Sequence, residues 1–103
     1  MMQLLPGEQL VMQDSAKSDY FGKGTLYMTS NRIILDVKTG GFLSKTTEVK
    51  LDKALSTIKA VSAPGGKLQI QFEGSVEPTN FSVPNPEKWE AAIKSALAVT
   101  GKL

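Results

Sequence analysis

The chain has 103 residues, 41% of them hydrophobic, and its 12 basic and 10 acidic side chains leave a net charge of +2. That length is one domain, residues 1–103, burying roughly two-thirds of its unfolded surface; so balanced a charge predicts no nucleic-acid partner, since those binders carry a clustered basic stripe. With no cysteine and no histidine, disulfides, thiolate nucleophiles, Cys/His zinc sites and imidazole acid–base catalysis are excluded.

The N-terminus, MMQLLPGEQ, lacks a basic segment, and its apolar run stops at Pro6-Gly7-Glu8. No signal peptide is therefore expected. No window approaches about 18 consecutive apolar residues, so no spanning helix is expected either. The absence of cysteine fits a reducing compartment, and the expectation is a cytoplasmic protein, peripheral to membranes where it docks.

In chain order, Gln9–Asp14 is the first expected strand, with Leu10 and Met12 on one face and Val11 on the other. Ser15–Lys23 is polar and contains glycine, and is expected to be a loop carrying Tyr20 and Phe21. The strongest local signal is Gly24–Val37, GTLYMTSNRIILDV. Leu26 and Met28 alternate with Thr25, Tyr27 and Thr29; Ile33, Leu35 and Val37 oppose Arg32, Asp36 and Lys38. With Thr29-Ser30-Asn31 as turn chemistry between them, the two runs predict an antiparallel hairpin.

Thr39-Gly40-Gly41 breaks the second of these strands, and Lys45–Leu51 alternates again. Asp52-Lys53-Ala54 is a polar interruption compatible with one helical turn. Leu55–Ser62 is the next expected strand, with Ile58 and Ala60 inward, followed by an Ala63-Pro64-Gly65-Gly66 turn. Lys67–Glu73 is the cleanest alternation, Leu68, Ile70 and Phe72 against Lys67, Gln69, Gln71 and Glu73. After a turn at Gly74–Pro78, Thr79–Val83 is a seventh short strand with Phe81 and Val83 inward.

The period then changes. Asn85 can cap, Pro86 fits the first helical position, and Glu87 favours the positive helix end. Trp89, Ala92, Ile93, Ala96 and Leu97 form one apolar stripe, Glu90 and Lys94 pair on the wet side, and Gly101 is placed to end the helix. The expected architecture is mainly β with one C-terminal α-helix: a partly open, seven-stranded antiparallel barrel plugged by the helix through Trp89.

This order of elements, with a lone tryptophan in the closing helix, resembles the pleckstrin-homology (PH) superfold. Gly24–Leu35 is similar to the G-x-L-x-L-T-x-x-R-L-I core of GRAM and bacterial PH-like domains and to the hairpin of GLUE domains, and Leu5-Pro6-Gly7-Glu8 is common in GRAM-type openings. Met28 stands where the family usually has leucine.

The resemblance implies binding through the loops after the first, third and sixth strands. The first loop holds Lys17, Tyr20, Phe21 and Lys23, and the second Lys38, Phe42, Leu43 and Lys45. An apolar pair between lysines suits an anionic membrane interface. The alternative is that Phe21 and Leu43 fold back onto the barrel rim. Arg32 matches the family's hairpin arginine, either as a turn residue bonding nearby groups or as an anion contact. The third loop, Glu73–Pro78, is acidic and argues against an anionic ligand. A dedicated inositol-phosphate pocket, with basic residues interleaved on the first two strands, is absent.

The family also implies a protein-binding alternative of GLUE type, ubiquitin or a peptide, at exposed Ala91, Ala98, Val99 and Leu103 on and beyond the helix. A third reading is self-association through exposed strand edges. No enzymatic activity, metal site or cofactor is expected: Gly22-Lys23-Gly24-Thr25 lacks P-loop spacing, and Asp14, Asp19, Asp36 and Asp52 lack that of a calcium loop.

Overall fold

A computed structural model describes residues 2–39 and 46–99. Seven antiparallel strands form one sheet: β1 (Leu10–Ser18), β2 (Gly22–Thr29), β3 (Arg32–Thr39), β4 (Thr46–Ala54), β5 (Ile58–Ser62), β6 (Leu68–Phe72) and β7 (Thr79–Ser82). Their spatial order is β4-β3-β2-β1-β7-β6-β5, so β4 and β5 are edges that do not meet. Helix α1 (Pro86–Val99) follows β7. Inward residues of every strand from β1 to β6, with Phe81 of β7 and the Trp89, Ile93 and Leu97 stripe of α1, make a single core. The expected mainly-β, helix-plugged architecture is what forms.

The sheet is weakest between β1 and β7, which pair only at Lys17–Ser82 and Ser18–Phe81. Beyond Lys17 the two strands part, and the N-terminal half of β1 has no strand on that side. Trp89 of α1 reaches β1 here. Its ring is fully buried, and its indole N–H donates to Asp14 Oδ2 at 2.8 Å, tying α1 to β1 across the gap. The helix begins as the sequence predicts, with Asn85 Oδ1 accepting the Lys88 amide at 3.3 Å and Pro86 as its first residue, and Glu90 pairs with Lys94 at 2.8 Å. The Gly101 stop lies outside the described residues.

Several boundaries and faces differ from the sequence expectation. The supposed loop Ser15–Lys23 is mostly strand: β1 runs on to Ser18 and β2 starts at Gly22, leaving a tight turn. The buried residues Ala16 and Ser18 alternate with polar neighbours, a pattern too hydrophilic to announce itself. An irregularity between Leu10 and Met12 separates their faces, so Leu10 is 42% exposed while Met12 packs on the core. Asp52-Lys53-Ala54 stays in β4, and the helical turn comes one step later, at Leu55–Thr57. Between Ile58 and Ala60 the β5–β6 register also shifts; Ala60 is therefore exposed and Val61 buried in its place. An extra residue in one strand reverses every face beyond it.

Gly24 has a packing reason. A Cβ there would collide with the carbonyl oxygen of Asp36 on β3, so the close approach of β2 and β3 requires glycine. Gly65 and Gly66, with φ of +60° and +81°, supply the left-handed backbone of the β5–β6 turn.

The outer face of β3 is not wet, as simple alternation implies. Ile34 and Asp36 are buried on it, and the Met2 amide donates to Asp36 Oδ2 at 2.7 Å. The N-terminal segment is latched at its far end by Glu8, whose side chain is wholly buried. Glu8 accepts from Arg32 Nη2 at 2.6 Å and Nε at 2.8 Å, from the Thr29 hydroxyl at 2.6 Å and from the Leu5 amide at 2.9 Å. Arg32 also donates to Asp52 Oδ2 and to the carbonyl of Gln3, each at 2.9 Å. The Arg32 bonds hold the Glu8 carboxyl down at about 2 from 4.5, outweighing the opposing effect of burial, and the Thr29 and Leu5 bonds add to the lowering. Arg32 is pushed further above its already high range, chiefly by its bonds to Glu8.

Two outcomes follow from these packings. Trp89→Ala removes the largest buried side chain and is expected to cost about 3–5 kcal/mol, measured as the denaturant midpoint at unchanged slope; an unmoved midpoint contradicts the plug. Because Glu8 is depressed in the fold, its stabilisation is complete above its unfolded value of 4.5 and is lost as pH falls towards about 2. Unfolding free energies across that window should show a falling acid limb that Glu8→Gln flattens, with the variant already less stable near neutrality.

Candidate functional site

Extension of β1 and β2 towards their turn has a consequence for charge. The β1–β2 register sets Lys17 directly opposite Lys23. The β2–β3 register ends at Gly24 opposite Val37, so the next step outward brings Lys23 and Lys38 abreast. Ala16, Leu26 and Val37 point inward, and the three lysines stand exposed on the other face. They form a cross-strand row over three neighbouring strands, with opposed Cα atoms about 4.5–5.5 Å apart.

None of the three side chains has an ion-pair or hydrogen-bond partner among the described residues; the described ion pairs use Arg32, Lys50, Lys67 and Lys94. Like charges directly opposite each other are destabilising in a sheet. An anion laid across the row removes that repulsion. Beside the row, where β7 turns away from β1, lies an open groove of about 470 Å³. The three lysines, Ser15, Gly24, Ser82, Val83 and Pro84 border it.

The structure brings some of the sequence candidates together and separates others. Lys17, Lys23 and Lys38 converge. Tyr20, in the β1–β2 turn, is 86% exposed, whereas Phe21 is half-buried and packs on the core, so only one ring of that pair is free. Arg32 lies at the opposite end of β3 from Lys38, and its guanidinium is taken up by Glu8, Asp52 and Gln3. That is the turn-residue alternative, and it removes Arg32 from the open-end surface. Phe42, Leu43 and Lys45 lie outside the described residues. Ala91, Ala98 and Val99 are exposed on α1, Val99 at 87%. Val99 borders a depression of about 490 Å³ formed with Ala96, the β2–β3 turn at Ser30-Asn31 and the residues Ala54–Ser56.

The lysine row itself escapes a reading that puts Lys17 in a loop, because a loop has no register. The available signal was the symmetry of Lys17 and Lys23 about Tyr20, which becomes a cross-strand pair once a tight turn is placed there. Among the described residues no three acidic side chains gather as metal ligands, and no helix is long and apolar enough to cross a membrane.

No protein-family model matches the chain, and no curated protein matches it in sequence. Solved structures do. One is the Vps36 N-terminal PH domain, 18% identical, with a TM-score of 0.72 over 98% of this chain and 87% of that one. At that identity the likeness concerns the backbone fold alone. The chain has the PH-like fold.

Proposed function

We propose that this chain is a non-enzymatic docking module that settles on anionic membrane surfaces through the end of the sheet bearing Lys17, Lys23 and Lys38. The observation that carries the reading is the unpaired cross-strand row. Three exposed lysines whose backbone positions strand register sets abreast, beside a groove, concentrate positive charge where phosphate-bearing head groups can approach. Tyr20, solvent-exposed at the adjacent turn, supplies an amphipathic ring suited to the interface. With each lysine worth about 1 kcal/mol at an anionic surface, the row supports weak, salt-sensitive and reversible association.

Sedimentation with phosphatidylserine-containing and neutral vesicles tests this. Binding should favour the anionic vesicles and fade with salt. The combined Lys17→Ser, Lys23→Ser and Lys38→Ser variant should lose roughly a hundredfold in affinity, the sum of about 1 kcal/mol per lysine. Undiminished binding by that variant, or equal binding to both vesicles, refutes the reading.

A second reading rests on Val99 and its depression at the other end of the barrel: a GLUE-type adaptor surface for ubiquitin or a peptide, with Ala91 and Ala98 on the same helix. Backbone amide signals of Ser30-Asn31 and Ala96–Val99 should then shift on adding ubiquitin and stop shifting in Val99→Asp. Absence of any shift removes ubiquitin as the partner. Self-association through β4 is the weaker idea, because that edge carries Lys50, Lys53 and a register irregularity opposite Leu35-Asp36, all features that blunt edge pairing.

A further inference from the structure

The acidic third loop fits no part of an anion-binding reading, yet it lies at the lysine-bearing end. Its Glu77-Pro78, together with Thr79 and Asn80, forms one wall of a second depression of about 420 Å³, whose other wall is the β1–β2 turn from Ser18 to Phe21. We propose that this depression takes the quaternary ammonium of a phosphocholine head group. The proposal rests on the membrane reading above and adds a second, oppositely charged contact to it.

The chemistry of the walls is cation-accepting. Tyr20 and Phe21 stand edge to face, ring centroids 4.8 Å apart and planes at 82°. Their placement is fixed from below: Phe21 packs on the core, and the buried Ser18 accepts both the Tyr20 and the Phe21 amides on its hydroxyl oxygen, each at 3.1 Å. Of the two carboxylates, Asp19 is paired with Lys67 at 3.2 Å. Glu77 is exposed and makes no ion pair or hydrogen bond with any described residue. One free negative charge beside two aromatic side chains suits a single soft cation. A methylated ammonium gains from the rings without needing hydrogen-bond acceptors on every side, whereas a divalent metal would find too few oxygen ligands.

The position favours a lipid over a free cation. Ser82 lines the lysine groove and Asn80 the aromatic depression. They lie two residues apart on β7, about 7 Å at strand spacing. Phosphate-accepting and ammonium-accepting surfaces thus sit side by side on either flank of the β1–β7 junction. A leaflet that mixes anionic and phosphocholine lipids presents both charges at that separation in one plane.

Amide NMR on the whole chain tests this, with choline and phosphocholine as soluble probes and N-acetyl-lysine amide as the competitor. Both choline compounds should shift Asp19–Phe21 and Glu77–Asn80 in a saturable way. Tyr20→Ser should weaken that binding about two- to fivefold, the range of one exposed cation–π contact, and Glu77→Gln by up to about fivefold, the range of one exposed ion pair. The triple lysine variant should keep the choline shifts while losing anionic vesicles. No choline shift at these residues, shifts untouched by both substitutions, or tighter binding of the lysine derivative overturns the proposal. Choline silence with vesicle binding intact overturns it alone. Choline shifts without any vesicle binding remove the membrane as the source, and this assignment falls together with the reading it rests on.

Discussion

The fold depends on how the β1–β7 junction is closed. Two residue pairs are all that join the two strands, and a sheet that parts there exposes its own core. Trp89 resolves this with one side chain that is apolar over its body and polar at one atom. The ring is buried in the core, and the indole N–H meets Asp14 of β1 rather than being buried without a partner. Ile93 and Leu97, at spacings of four, continue the same stripe along the open side of the sheet. The seven strands and the helix therefore stand or fall as one cooperative unit, since neither has a complete core alone.

The two ends of this plugged barrel are electrostatically unlike. At the β2–β3 turn the charges are satisfied: Glu8, Arg32, Thr29 and Asp52 bond one another, around a buried Glu8, and fasten the N-terminal segment over β3. Neighbouring groups hold both partners of the central pair in their charged forms. At the β1–β2 end Asp19 pairs with Lys67, but three further charges are external and have no side-chain partner among the described residues. Lys17, Lys23 and Lys38 are set abreast by the same register that builds the sheet, and the fold bears their mutual repulsion. Such an arrangement is costly for a scaffold and useful for a surface that meets anions. Arginine serves the buried, bidentate task and lysine the exposed one, in keeping with their different hydration.

Much of the fold was legible in the residues because several signals agreed locally. Gly24–Val37 alternates cleanly around a turn, Leu68–Phe72 alternates without interruption, and Asn85-Pro86-Glu87 opens a stripe of helical period. What stayed hidden was non-local or broke the period. The irregularities beside Val11 and Lys59 exchange inward and outward faces without any compositional mark. The contact that meets Asp36 on an outward face comes from Met2, 34 residues away in the chain. Glu8 and Arg32 are 24 residues apart, and neither Pro-Gly-Glu nor Thr-Ser-Asn-Arg announces the other. The lysine row is concealed for the opposite reason: the residue pattern puts its members in loops, and only strand register turns them into a row.

Since the chain contains a single tryptophan, its fluorescence reports directly on the junction around which the fold is organised. In the native protein the emission should be blue-shifted and resist quenching by acrylamide, moving to the exposed wavelength in one cooperative step that coincides with loss of β-sheet circular dichroism. Native emission already at the exposed wavelength and freely quenched would contradict the account, because the sheet would then be standing without the side chain said to close it.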